Sequence, residues 1–269
     1  MSNPHMESAR EFTIGSVLGR TKTILFTQPL TFMGLAFITL VPTILTQLLG
    51  GGAPIETLGN LLNSILTVVL QGAFAYCVFQ VLVGNSTSLG ASLSRGMRRF
   101  FSIVGASSLI FLGMFFGCLL PVLPGIFLRS SFLMLAGVAV AFFLFLWFMC
   151  KWTVAIPACV VEHLGPIDSL RRSTELTKGY RLKIFGLLTL AFLLFLIFLF
   201  VLMMIYGLLL TLIATFAPLI VGKAITMLGL GVVLSLPIAF INVTYTTIYY
   251  DLRSTKEGIA VDSLANVFD

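Results

Sequence analysis

Apolar residues run almost unbroken for about a membrane's width six times along this chain, approximately from Leu30 to Leu49, Leu58 to Val83, Phe101 to Leu120, Phe132 to Trp152, Ile184 to Leu210 and Ile225 to Tyr249. A helix rising about 1.5 Å per residue needs roughly 20 such residues to cross about 30 Å of hydrocarbon. Strands of a membrane barrel alternate polar and apolar positions in shorter pieces. These windows are apolar on every side, so the pattern predicts an all-α, polytopic bundle of six transmembrane helices and excludes a closed barrel.

Before the first, third and fifth windows stands a shorter segment of mixed character, and each reads as a helix lying in the membrane interface. Residues 11–27 carry Phe12, Val17, Ile24 and Leu25 among Arg20 and Lys22, until Pro29 redirects the chain. The second such segment opens on Ser88 as N-cap and sets Leu89, Leu93 and Met97 on one face beside Arg95, Arg98 and Arg99. The third has Pro166 at its first helical position, a stripe of Ile167, Leu170, Thr174 and Thr177, and Gly179 as its stop. Asp168, Arg171, Arg172 and Glu175 are spaced for pairing along it.

The three segments share loosely similar texts at Ser16, Ser92 and Ser169, 76 and 77 residues apart. One unit copied twice accounts for that spacing, giving parallel repeats of helical hairpins over 11–83, 86–160 and 164–252 within a single membrane domain of 1–269. Residues 1–5 read as a cloning remnant, from the His5-Met6 pair, and 253–269 as a cytoplasmic tail. No cleavable targeting segment is expected, since charged and polar residues precede a full-length first span.

Composition strengthens this picture without changing it. With 58% hydrophobic residues, 10% charged and a mean hydropathy of +1.09, the chain holds more apolar surface than a water-soluble domain of its size could bury. Its net charge of +6 could suggest nucleic acid, but 13 of the 16 Lys and Arg lie before the first span, between spans 2 and 3, between 4 and 5, or after the sixth. Positive residues gather on the cytoplasmic side, so the charge records topology, and no nucleic-acid partner is expected. Both termini are predicted cytoplasmic, and the location the inner membrane. Cys77, Cys118, Cys150 and Cys159 lack a CxxC spacing and read as packing residues.

Groups able to do chemistry are scarce. His163 beside Glu162 has no second pair to complete a metal site, since neighbours on a helix point about 100° apart. No G-x-S-x-G stands in the chain. No catalytic set, metal or cofactor is therefore expected. Gln80, Lys151, Pro237 and Asn242 are candidates to line a cavity, with Lys151 also able to snorkel to the headgroups. Arg98, Arg99, Arg171, Arg172, Arg181, Lys183 and Arg253 would gather near one membrane surface, where anionic headgroups attract them.

Two cytoplasmic stretches carry a resemblance. Glu162-His163-Leu164-Gly165-Pro166 leading to Ser169-Leu170-Arg171-Arg172-Ser173 and Leu176-Thr177-Lys178-Gly179, together with Tyr249-Tyr250-Asp251-Leu252-Arg253 and Lys256-Glu257-Gly258, resembles the membrane domain of glycerophosphoryl diester phosphodiesterases and its stand-alone relatives. Phe12 to Leu18 resembles the same family's opening segment, with Ser16 where an acid is often found. The resemblance implies a six-helix membrane domain without the separate catalytic barrel, which needs roughly 250 residues that this chain does not have to spare. Glu162, Asp251 and Glu257 beside Arg171, Arg172 and Arg253 then suggest an ion-pair latch, whose arginines a lipid headgroup could contest.

The expected function is a non-enzymatic, lipid-binding scaffold or assembly or lipid-handling accessory factor, with membrane phospholipids and another membrane protein or a second copy as partners. A small transporter of a lipid or other apolar solute is the alternative. An intramembrane phosphodiesterase is the remote one.

Overall fold

A computed structural model of the chain describes residues 12–49, 52–216 and 219–258, so the proposed cloning remnant at 1–5 lies outside the described residues. Among the described residues the fold is entirely helical. The element order is α1 (Ile14–Thr27), α2 (Pro29–Leu49), α3 (Ala53–Leu82), α4 (Leu89–Arg98), α5 (Phe100–Leu119), α6 (Leu123–Phe127), α7 (Ser131–Trp152), α8 (Ala155–Val161), α9 (Pro166–Thr177), α10 (Arg181–Phe216) and α11 (Leu219–Glu257).

Six stretches are long and apolar enough to cross a membrane: Pro29–Leu49, Ala53–Leu82, Phe100–Leu119, Ser131–Val161, Arg181–Thr211 and Ala224–Glu257. This is a multi-pass membrane protein. Large side chains such as Phe132 and Phe143 on α7 and Phe200 on α10 stand exposed, which hydrocarbon tolerates and water does not. The short helices α1, α4 and α9 precede the first, third and fifth spans, where the amphipathic segments were expected.

The chain, read above as one domain, divides by its contacts into two compact units. Of the described residues, one takes in those within 18–100 and 188–244, the other 12–17, 101–187 and 245–258. In the first unit, Ile24 and Leu25 of α1, Phe32, Leu35 and Ala36 of α2, Leu70, Ala73, Phe74 and Val78 of α3, and Ala239 and Val243 of α11 form the core. Phe32 stacks on Phe74 with ring centroids 6.3 Å apart. The segment of α1 was expected to lie in the membrane interface. Phe12, Val17, Ile24 and Leu25 are all buried in protein, Ile24 and Leu25 in this core and Phe12 edge-on to Tyr180.

Helix α4 behaves in the opposite way. Ser88 caps it, accepting from the Ala91 amide at 3.3 Å, and the inward face is made of Ser92 and Gly96. At Gly96 a Cβ would meet the Val69 carbonyl and come within 3.0 Å of the Ala73 nitrogen, so only glycine lets the two backbones approach this closely. The expected apolar stripe stays outside, with Leu89 and Met97 exposed and Leu93 half-buried against the core. Gln28, in the bend after α1, ties the segment before α4: its Oε1 accepts from the Thr87 amide and hydroxyl, both at 3.4 Å, and its Nε2 donates to the Asn85 carbonyl at 3.4 Å.

In the second unit α5 and α7 pack rings into glycines. Phe148 and Trp152 of α7, stacked at 4.7 Å, sit against Gly117 and Gly113 of α5, where an added Cβ would lie 2.5 and 2.6 Å from the rings. Helix α7 stops at Trp152, and Pro157 in α8 has no amide to carry the ladder back across that break. Helix α9 follows after a turn at 162–165, in which His163 adopts φ 56° and Gly165 is extended. Ile167, first on the stripe expected of this interfacial helix, is exposed. The buried face is Ser169, Ser173, Leu176 and Thr177. Two of those hydroxyls explain the rotation: Ser173 Oγ and Thr177 Oγ1 donate to the Lys151 carbonyl at 2.9 and 3.3 Å, capping the end of α7.

Helix α11 continues through Pro237, and past residue 253 to Glu257, into the segment read as a tail, whose residues 259–269 lie outside the described ones.

Gly96→Ala is expected to destabilise the protein by about 1–3 kcal/mol, since the obstructing atoms belong to backbone. Gly90→Ala, in the same helix with open space around it, is expected to be neutral or slightly stabilising. Thermal unfolding of the two variants in one detergent checks the contrast.

Candidate functional site: a charge-balanced ring at the end of the last span

Helix α11 places Tyr249, Arg253 and Glu257 at i, i+4 and i+8, one above another on a single face. Opposite them stand Glu162, the residue that closes α8, and Arg172 from the middle of α9. The turn that positions Glu162 is held by Cys159, whose Sγ donates to the Leu164 carbonyl at 3.4 Å. Helix α9 is oriented by its hydroxyl contacts to Lys151, which leave Arg172 at the edge of the buried face.

Arg172 Nε donates to both oxygens of Glu162, at 2.9 and 2.8 Å, while its Nη2 pairs with Glu257 Oε1. Arg253 Nε donates to Glu257 Oε2 at 3.1 Å and lies 3.7 Å from Glu162 Oε1. Tyr249 is fully buried; its hydroxyl donates to Glu162 Oε1 at 2.6 Å and accepts from Arg253 Nη1 at 3.2 Å. Two guanidiniums, two carboxylates and a phenol thus close a ring of zero net charge. All four carboxylate oxygens are occupied by donors. The ring is largely withdrawn from solvent, with the Glu162 and Arg253 side chains 14% and 13% exposed.

Burial by itself lowers the pKa of Arg172, and the hydrogen bonds and charges of Glu162 and Glu257 outweigh it, holding the guanidinium above its ordinary value. The stabilisation linked to that shift is complete below the ordinary arginine pKa and is lost only as pH rises through the raised one. The ring is therefore insensitive to Arg172 titration across the working range. A further tie lies beside it: Lys256 Nζ donates to the carbonyls of Glu175 and Lys178, at 2.5 and 2.8 Å, capping the end of α9.

What such an arrangement can do is hold elements together. A general base needs a carboxylate oxygen facing a substrate, and here each one faces an arginine or a tyrosine. Among the described residues, no three His, Cys, Asp or Glu side chains converge as metal ligands.

Of the residues singled out from the sequence, Glu162, Arg172 and Arg253 enter the ring. Asp251, two positions from both Tyr249 and Arg253, is buried on a different face of α11. Arg171 pairs with Glu175 at 3.3 Å on the outer side of α9. Lys183 donates to the Phe12 carbonyl at 3.4 Å and lies over Tyr180. Arg181 and Lys151 both approach the Trp147 ring. Arg98 is exposed and Arg99 half-exposed at the end of α4.

Among the cavity candidates, Gln80 accepts from Asn85 Nδ2 at 2.9 Å and lines an open groove of about 600 Å³ with Tyr76, Asn85, Ser86, Thr87 and Ser88. Lys151, Pro237 and Asn242 do not line that groove. Asn242 Nδ2 donates to the Ile238 carbonyl of its own helix at 2.9 Å. Sequence reasoning missed Tyr249 as the centre of the ring and Lys256 as a cap. The spacing of 249, 253 and 257 was the available signal for the first.

Residues 12–252 match the model of a family described as Domain of unknown function (DUF7847). The chain belongs to DUF7847. No curated protein and no solved structure matches it. The DUF7847 match reaches into all six spans, includes Glu162, Arg172 and Tyr249, and ends one residue before Arg253.

Glu162→Gln is expected to cost about 3 kcal/mol, because it leaves two partly buried guanidiniums short of a counter-charge. Tyr249→Phe removes only the phenol's two hydrogen bonds and is expected to cost about 1–2 kcal/mol. In Glu162→Gln with Arg172→Gln the losses should be less than additive, by roughly 1 kcal/mol or more, in a double-mutant cycle of thermal unfolding.

Proposed function

We propose that this chain is a non-catalytic, phospholipid-binding scaffold of the cytoplasmic membrane, with the short helices α1, α4 and α9 and the end of α11 on the cytoplasmic side. The observation that carries the reading is the saturation of the carboxylates: in the most elaborate polar arrangement among the described residues every carboxylate oxygen is already met by a donor, and the ring fastens α8, α9 and α11 to one another. Support for the orientation comes from the positive residues, which fall almost wholly in the segments that six crossings would leave on one side. Helix α4 supports lipid contact, for Leu89 and Met97 are exposed next to Arg98, an apolar stripe with a guanidinium at headgroup height.

The proposed kinship with the membrane domain of glycerophosphoryl diester phosphodiesterases gains a physical meaning from the ring. The two stretches that carry the resemblance are the two that supply its members, Glu162 and Arg172 from one, Tyr249, Arg253 and Glu257 from the other. What those stretches would preserve is a fastening rather than a hydrolytic centre. The partners of such a scaffold are membrane phospholipids and another membrane protein or a second copy of the chain.

Native mass spectrometry of the purified protein is expected to find bound phospholipid or a copurifying membrane protein. A glycerophosphodiester offered to the same preparation is expected to remain intact. Hydrolysis of that ester, abolished by Glu162→Gln, or a protein that retains neither lipid nor partner, would contradict the reading.

A further inference from the structure

Lys151 and Arg181 are charged in a way the ring arginines are not. Arg172 and Arg253 each meet two carboxylates. Among the described residues, Lys151 and Arg181 meet none. Both instead approach the same indole: Lys151 Nζ lies 4.8 Å from the Trp147 ring centroid and the Arg181 guanidinium 5.2 Å from it. Lys151 is also 5.4 Å from the ring of Trp152.

A cation over an aromatic face is favourable, but it leaves the N–H groups without acceptors. Arg181 illustrates this, for its Nε is buried and has no hydrogen-bond partner. Two cations sharing one indole also repel each other. The chemistry that would relieve both conditions is an anion with several acceptor oxygens, held by charge-assisted hydrogen bonds.

The surroundings specify which anion. Trp147 is 41% exposed and lies five residues before the break that ends α7 at Trp152, and indoles favour the headgroup level of a bilayer. The wall beside it is rigid, since Trp152 and Phe148 are stacked on each other and seated against Gly113 and Gly117. The backbone of Lys151 is fixed by the hydroxyls of Ser173 and Thr177 on its carbonyl. Leu182, next to Arg181, is 87% exposed and presents an apolar surface where acyl chains would begin.

We infer that Lys151 and Arg181, on the aromatic wall of Trp147 and Trp152, form a binding site for the phosphate of a phospholipid headgroup. The inference rests on the lipid-binding reading above and gives it one location. The ring is not part of the site, and its residues are untouched by the test.

The chain has two tryptophans, and both belong to this site, so intrinsic fluorescence reports on it directly. The full-length protein in detergent is titrated with phosphatidylglycerol brominated near the headgroup end of its acyl chains, and quenching is followed alongside native mass spectrometry. Quenching should saturate, and Lys151→Gln with Arg181→Gln should weaken apparent affinity about thirtyfold, as loss of roughly 1 kcal/mol per cation requires. Lys22→Gln with Lys178→Gln, an equal loss of charge elsewhere, should change it less than about threefold on the same scale. Lys151→Arg with Arg181→Lys should restore most of the binding.

If wild type binds lipid and the Lys151/Arg181 double variant binds equally well, the site is overturned while the lipid-binding reading stands. If wild type retains no phospholipid, the site falls, and the lipid-binding part of the proposed function falls with it. An equal loss in the Lys22/Lys178 control, or displacement of the lipid by millimolar inorganic phosphate, also overturns it, the latter by making free phosphate the ligand. Should the double variant fail to fold, saturable quenching of wild type supports the site, and its absence overturns it.

Discussion

A backbone that enters hydrocarbon must carry its own hydrogen-bond partners, and it runs short of them where each helix ends. Within each unit the short elements between spans meet that shortage. The carbonyl of Lys151, freed where α7 breaks, accepts two hydroxyls from α9. The last turn of α9 in turn has its carbonyls capped by Lys256. Ser88 and Ser130 close the first turns of α4 and α7 with their side chains. Gln28 performs the same service for the loop before α4. The pieces that look like connectors are thus the terminators that allow long apolar helices to stop.

This explains which parts of the fold could be read from the chain. The spans were legible because hydrophobic length alone sets them, and Ser88, Pro29 and Pro166 marked helix starts by chemistry that is local. The packed faces of the short helices were not legible. In water an apolar stripe points inward, but beside a bilayer it has two apolar destinations, protein or lipid. Helix α1 sends Val17 and Ile24 into protein, while α9 leaves Ile167 outside and buries Ser169 and Ser173. The choice depends on which neighbour offers a freed carbonyl or a glycine notch, such as Lys151 or the closely approached backbone at Val69. Those partners are distant in sequence, so a window of neighbouring residues cannot reveal them.

The candidate site divides along the same line. Glu162, Arg172 and Arg253 were identifiable as charges in need of partners, and Arg171 resembled Arg172 until the turn of α9 set one outward and the other inward. Tyr249 read as one more apolar residue at the end of a span, though its hydroxyl sits at the centre of the ring. The contrast between neutralised and un-neutralised cations then organises the functional reading. Where carboxylates meet the arginines, charge fastens helices, and removing a single member costs more than the whole arrangement contributes. Where Lys151 and Arg181 meet indoles and, among the described residues, no carboxylate, the charge is left without a counter-charge.

The proposed reading rests on all six candidate spans crossing the bilayer, which would leave α1, α4, α9 and the end of α11 on one face. Single cysteines at Thr13, Ser94, Asp168 and Gly258, and one at Leu128 in the turn before α7, placed in a cysteine-free chain and probed with a membrane-impermeant maleimide in oriented vesicles, test this most directly. The first four should react from the same side and Leu128 from the other. Reaction of Ser94 and Asp168 from opposite sides, or of Leu128 from the same side as Ser94, would contradict the account.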